Sequence, residues 1–178
     1  MRHGFIKVAA AIADVDYNKG QIIKQMDEAA EAGAKIIVFP ELCITGYTCS
    51  DLFLQDILLN SAKKALVKIA EHTKNLDALV FVGVPIAVGG ELYNVAAALN
   101  HGNILGFTTK SFLPNYGEFY EMRQFRPGPK KAEKILFGGK EIPFGPQLLF
   151  VEKQMTNLIV SAEICEDVWS PVPPSIEA

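Results

Sequence analysis

With 178 residues, 49% of them hydrophobic, the chain is long enough for one sizeable core and too short for two comfortable domains. A net charge of -3, with acids and bases interspersed, excludes a polybasic footprint for nucleic acid or anionic lipid and leaves small-molecule partners open. Three cysteines without C-x-x-C spacing argue against a disulfide framework and against a tetrahedral zinc site, so no metal site is expected and a cytoplasmic, reducing setting is.

Residues 5 to 12 read as a first strand; Lys7 within them and Asp14 and Asp16 just after do not suit a signal-peptide core. Asp16 or Asn18 can cap a helix whose apolar positions Ile22, Ile23, Met26, Ala29 and Ala30 follow helical spacing, with Gly33 ending it. Residues 35 to 39 form a buried strand stopped by Pro40, and the β, α, β order makes the first two strands parallel neighbours or nearly so. Glu41 stands at that strand's carboxyl end. Residues 51 to 74 are helical by pattern, with a break expected near Asn60-Ser61 and a stop at Asn75. A buried strand over 78 to 83 ends toward Pro85. Gly89-Gly90 and Gly102-Asn103 then separate strand-like runs at 84 to 88, 91 to 100 and 104 to 109, an antiparallel meander closed by Lys110. The polar-aromatic stretch from Ser111 to Arg126 is too irregular for one helix. Residues 127 to 146, with four prolines and four glycines, read as a surface excursion containing a short strand near Ile135 and a hairpin around Gly138-Gly139. Strands at 147 to 151 and 157 to 162 follow, the second apolar and read as buried. Cys165 sits on the turn after it, among Glu163, Glu166 and Asp167. Ser175 or Pro174 has the place of a helix start, so the polypeptide is expected to continue beyond Ala178.

Glu41, Lys110 and Cys165 each follow an apolar strand, and strand ends gather at one sheet edge. Singly, each has an ordinary explanation: a solvated turn acid, a surface lysine, a small buried thiol. Together they supply what thiol attack on a carbonyl or nitrile carbon requires. The thiolate is the nucleophile, so a base must take the proton. His3, His72 and His101 lie in a tail, a helix end and a hairpin turn, which leaves Glu41 as the candidate base. Lys110 can pair with the carboxylate and lie beside the oxygen that becomes negative in the tetrahedral intermediate, with the Glu166 backbone amide as a second donor.

Three segments carry a resemblance: Phe39-Pro40-Glu41-Leu42-Cys43-Ile44-Thr45-Gly46-Tyr47; Lys110-Ser111-Phe112-Leu113-Pro114 with Glu118 eight residues after Lys110; and Glu163-Ile164-Cys165-Glu166-Asp167. They resemble the nitrilase, or carbon-nitrogen hydrolase, superfamily. More narrowly, Gly46-Tyr47 through Asp51-Leu52, Tyr116 through Arg123, and Ile164 through Trp169 with Pro171 look like the amino-terminal glutaminase domains of glutamine-dependent NAD synthetases, in matching order over essentially the whole chain.

The resemblance implies an α/β fold, an αββα sandwich of the nitrilase type truncated after the nucleophile strand, with residues 1 to 178 forming a partial carbon-nitrogen hydrolase domain. It implies a catalytic triad of Glu41, Lys110 and Cys165, a second active-site glutamate at Glu118, and Tyr116 and Glu166 lining a glutamine pocket. Hydrolysis of glutamine through a thioester needs no cofactor, while ATP and Mg belong to a carboxyl-terminal synthetase domain that converts nicotinic acid adenine dinucleotide to NAD. A homo-oligomer is expected. Cys43 and Cys49 match no catalytic position and are read as structural; Trp169 is read as packing the pocket wall. The pocket residues expected beyond Cys165 and the S-G-G-x-D-S signature are absent from these 178 residues, so impaired or absent glutaminase activity and an exposed apolar face are expected of the chain by itself. The competing readings are another amidase, carbamoylase or nitrilase of the same triad, and a non-catalytic interaction module of the same fold.

Overall fold

The structure is a computed structural model that describes residues 10–176. Helix α1 (Val15–Glu31) is capped by Asp14, whose carboxylate accepts from Tyr17 N at 3.1 Å, rather than by Asp16 or Asn18. Asn18 is buried: its amide bonds Ala11 N and O and the Ile44 carbonyl, tying the chain before the helix to the loop that carries Glu41. Gly33, at φ +86°, ends the helix as expected. Strand β1 (Ile36–Val38) follows. A 3-10 turn over Ser50–Leu54 precedes α2 (Asp56–His72), so the break falls at Gln55 and not near Asn60. Next come β2 (Leu79–Val88), β3 (Glu91–Asn100), β4 (Asn103–Thr109), the short α3 (Glu121–Gln124), β5 (Glu133–Phe137), β6 (Lys140–Gly145), β7 (Phe150–Val151), β8 (Ile159–Val160) and α4 (Glu166–Trp169).

Six of the described strands make one mixed sheet in the order β1-β2-β3-β4-β6-β5, with β1 parallel to β2 and the meander antiparallel. Along β2, Val80, Val82, Val84 and Ile86 meet Ile22, Met26, Leu66 and Ile69 of the two long helices in one core. The alternate residues turn to the other face, where Phe81 packs edge-on against Phe150 at 5.6 Å and Gly106 leaves room for Leu148 and Phe150. The described residues therefore form a helix layer, a large sheet and a two-stranded sheet, an α/β arrangement. None of their helices is long and apolar enough to cross a membrane.

Four further expectations need correction, and a fifth lies largely outside the described residues. The strand expected over 5–12 lies outside the described residues up to position 9, and residues 10–12 form no strand. The strand at 36–38 is buried on one face only, because alternate side chains point to opposite faces: Ile37 joins the core and Val38 is exposed. Pro85 does not end its strand. Phe81 O accepts from Phe39 N and Gly83 O from Ile44 N, so odd-numbered backbone groups of β2 face the β1 side. Among the described residues no strand pairs with that side beyond Phe81, and a missing N–H at position 85 breaks no ladder bond with them. Residues 133–145 are not a surface excursion: β6 joins β4 in parallel, and Ile135, Phe137, Ile142 and Phe144 are buried. The two strands before Cys165 are short and, among the described residues, pair only with each other; Ile159 is exposed. At the far end, Pro174–Ile176 form a 3-10 turn, with Ser175 N donating to Glu163 at 2.7 Å.

Candidate active site

Three loops meet on the sheet face turned away from the long helices. The first follows β1 and carries Glu41, with Leu42 at φ +50° making the reversal. It lies directly on Gly83 of β2, where a Cβ would stand 2.3 Å from Leu42 N and 2.5 Å from Pro40 O, so only glycine allows this approach. The second follows β4, whose end is fixed by Lys110 N donating to Asn94 O at 2.9 Å. The third is the turn at Cys165, which adopts φ +48° and ψ −101°, a backbone conformation rare for a residue with a side chain.

Asp167 joins the second and third loops. Its buried carboxylate accepts Ser111 N at 2.9 Å, Phe112 N at 2.8 Å and Ile164 N at 3.3 Å. Burial raises its pKa against the pull of those three donors. One side chain thus sets the distance between the lysine loop and the cysteine turn.

Lys110 is 1% exposed, and its ammonium lies 2.7 Å from Glu41 Oε1 and 2.7 Å from Glu121 Oε1. Burial alone lowers an ammonium pKa, but the two carboxylates more than offset it and the pKa is raised, so Lys110 is charged. Glu41 also accepts from Asn94 Nδ2 at 2.6 Å, and Glu121 from the Tyr47 hydroxyl at 2.7 Å. Burial, then Glu121, raises the Tyr47 phenol, which stays neutral. The exposed Cys165 thiol adjoins this cluster: burial of its sulfur and the Glu41 charge push its pKa up, while Lys110 and the Glu166 backbone N–H pull it down. The net direction is upward, and the resting sulfur is a thiol. Cys43 and Cys49 are buried away from it, Cys43 with its pKa pushed up to about 12 by desolvation.

Glu41, Lys110 and Cys165 are therefore brought together. Glu118 is exposed, and the second carboxylate on Lys110 is that of Glu121. The cause is local. Glu121 opens α3, its N–H donates to Pro114 O, and its carbonyl accepts from Phe125 N at 2.8 Å, so the buried Phe125 ring and the Glu121 side chain enter the interior together. Helical i, i+4 spacing between Glu121 and Phe125 was the available signal. Tyr47, Asn94 and Asp167 were also missed as contributors. Tyr116 and Glu166 meet, the phenol donating to both carboxylate oxygens at 3.1 and 3.0 Å, and an edge-on aromatic series runs from Tyr116 through Phe119 to Tyr47. Trp169 is 79% exposed and packs no pocket wall, because α4 turns its outer side to solvent. No group of three or more potential metal ligands occurs among the described residues. A separate groove of about 520 Å³ along Lys63, Pro85, Val88 and Phe137 contains none of these side chains.

Known proteins share this arrangement of segments. The family model described as carbon-nitrogen hydrolase matches residues 7–175. A glutamine-dependent NAD(+) synthetase of Mycobacterium bovis is 37% identical over 182 aligned positions, which cover 99% of this chain and 27% of that protein. The crystal structure of a glutamine-dependent NAD(+) synthetase from Cytophaga hutchinsonii superposes with a TM-score of 0.82 at 34% identity, over 89% of this chain and 27% of that one. An amidase of the nitrilase superfamily from Nesterenkonia gives a TM-score of 0.58 at 26% identity, over 76% of this chain and 51% of its own. The chain spans about a quarter of the length of the synthetases it matches. With the family model matching residues 7–175, a span that includes Glu41, Lys110 and Cys165, this chain belongs to the carbon-nitrogen hydrolase family.

Proposed function

We propose that the chain is the glutaminase part of a glutamine-dependent NAD synthetase, releasing ammonia from the glutamine side-chain amide through a glutamyl thioester on Cys165. The observation that carries this reading is the buried Lys110 ammonium clamped at 2.7 Å between Glu41 and Glu121, beside a thiol on a strained turn. In this reading Glu41 takes the thiol proton as the sulfur electron pair attacks the amide carbon. The carbonyl oxygen becomes negative and is met by the Lys110 N–H not used by the two carboxylates and by the Glu166 amide. Collapse breaks the carbon-nitrogen bond, the amine leaves with the proton held on Glu41, and the thioester remains. Water then gives a proton to Glu41, attacks the thioester, and glutamate departs as the thiol is restored.

Tyr116 and Glu166 would receive the substrate's ammonium group, since a carboxylate held by a phenol keeps a free lone pair facing outward. Ammonia would be consumed by a carboxyl-terminal synthetase domain that uses ATP and Mg. The named relatives and the family membership support this role. The amidase-like fold favours one second reading, a different linear amide as substrate.

The test, made on the full-length protein to which this chain contributes the glutaminase part, is ammonia release from glutamine together with labelling by a glutamine-like diazo-ketone. Release, with label on Cys165 and none on Cys43 or Cys49, and both lost in Cys165→Ala, is expected. Release from a linear amide but not from glutamine selects the second reading. No release and no label would leave a non-catalytic module.

A further inference from the structure

Asn94 has no role in the chemistry above, yet it is 1% exposed, sits in the middle of the sheet on β3, and spends its only side-chain bond on the Glu41 carboxylate. Its own carbonyl oxygen Oδ1 is buried without a partner. A buried amide with an unused oxygen is costly, so the bond made by its nitrogen must outweigh that loss. The amide orientation is also fixed: the reverse placement would set Oδ1 against a carboxylate oxygen, acceptor against acceptor.

Both donors to Glu41 converge on one atom. Asn94 Nδ2 reaches Oε1 at 2.6 Å, and Lys110 Nζ reaches the same Oε1 at 2.7 Å. The backbone repeats the link, because Asn94 O accepts Lys110 N at 2.9 Å. One residue thereby holds the base through its side chain and the lysine through its main chain. The charged and titratable groups around that carboxylate are Lys110, Glu121 behind it, Tyr47 on Glu121, and Cys165.

We infer that Asn94 is a positioning residue that, with Lys110, saturates Oε1 of Glu41 and so assigns proton transfer from Cys165 to Oε2. The assignment rests on Glu41 being the base of the reaction proposed above. Asn94 reaches the sulfur only through Glu41; without it the carboxylate rotates about its last side-chain bond, and either oxygen faces the thiol.

Two variants test it in the purified full-length protein, each followed by kcat and KM for ammonia release from glutamine, the pH profile, and a thermal melt. Asn94→Leu keeps the volume and removes the donor; Asn94→Asp keeps the shape and replaces the donor with an acceptor, which covers failure of the first variant to fold. The expected result is a fall in kcat of about 30- to 100-fold for Asn94→Leu with KM changed less than ~3-fold, a larger fall for Asn94→Asp, and an acidic limb of the profile moved up by ~1 pH unit. A change in stability alone would move neither the limb nor the KM-against-kcat split. Folded variants with unchanged kcat and an unmoved limb overturn the assignment while leaving the glutaminase reading intact. If the wild-type protein releases no ammonia and takes no diazo-ketone label, the glutaminase reading fails, and this assignment with it.

Discussion

At Cys165 the charges of Glu41 and Lys110 act in opposite directions, and a single substitution separates them. Burial and Glu41 raise the thiol pKa; Lys110 lowers it. Thiolate therefore forms only as pH rises past the ordinary thiol range near 9, and alkylation by neutral iodoacetamide should be slow at pH 7 and climb above that range. Glu41→Gln removes the carboxylate charge and leaves the ammonium, so the alkylation curve is expected to move to lower pH, with faster labelling at pH 7. Ammonia release should fall by ~10²–10⁴-fold in the same variant, because the proton acceptor is gone. A thiol that grows more reactive while turnover collapses is the signature of a base that acts only once substrate is bound. If alkylation and turnover fell together, Glu41 would instead be keeping the resting sulfur ionised. Cys43 and Cys49, both 2% exposed, do not compete for the reagent.

Among the elements, β2 sets the site through what it lacks. Gly83→Ala places a methyl group 2.3 Å from Leu42 N, 2.5 Å from Pro40 O and 2.8 Å from the Glu41 carbonyl carbon, all backbone atoms of the base loop. The loop has to retreat, and a displacement near 1 Å at a reacting group costs about 100-fold in turnover. Gly106→Ala is the matched control: its methyl meets the end of the Leu148 side chain at 2.9 Å, which can rotate away, and turnover is expected to stay within ~3-fold. Ammonia-release rates of the two variants check this. The same comparison marks what could be read beforehand. Strand ends converge by topology, so Glu41, Lys110 and Cys165 were legible from three apolar runs. The meander was legible from its glycine pairs. The contact between Gly83 and the base loop was not, since a glycine in an apolar run looks the same whether or not another backbone lies on it. Pro85 misled because a proline stops a strand only where its missing N–H would serve a neighbour, and among the described residues no strand lies on that side at this level. The choice between Glu118 and Glu121 depends on where the four-residue α3 begins; the i, i+4 spacing of Glu121 and Phe125 is a cue, but a single turn is too short for that cue to decide it from the sequence.

For the whole molecule, the decisive asymmetry lies between the two faces of the sheet. One is sealed by α1 and α2, whose residues Ile22, Met26, Ala62, Leu66 and Ile69 are essentially inaccessible. The other is covered in part by the β7–β8 pair, whose outer side is bare: Val151 and Ile159 are cross-strand partners and each is 53% exposed. Trp169 and Val168 on α4 and Val172 and Ile176 just beyond add to the exposed apolar surface. Scattered apolar residues on a surface need no explanation, but a facing strand pair with both members uncovered favours burial against another surface. A second copy of this chain is always available as that surface, so the protein is expected to self-associate. Sedimentation at increasing concentration should show the average mass rising toward the dimer between ~1 and ~100 µM, an affinity of about 6–8 kcal/mol. Val151→Lys with Ile159→Lys puts two like charges directly opposite each other on the bare side and should return the protein to monomer. Because neither residue touches Glu41, Lys110 or Cys165, diazo-ketone labelling of Cys165 should survive in that double variant. A mass that stays at the monomer value at ~100 µM in the parent protein would show that this face does not drive association.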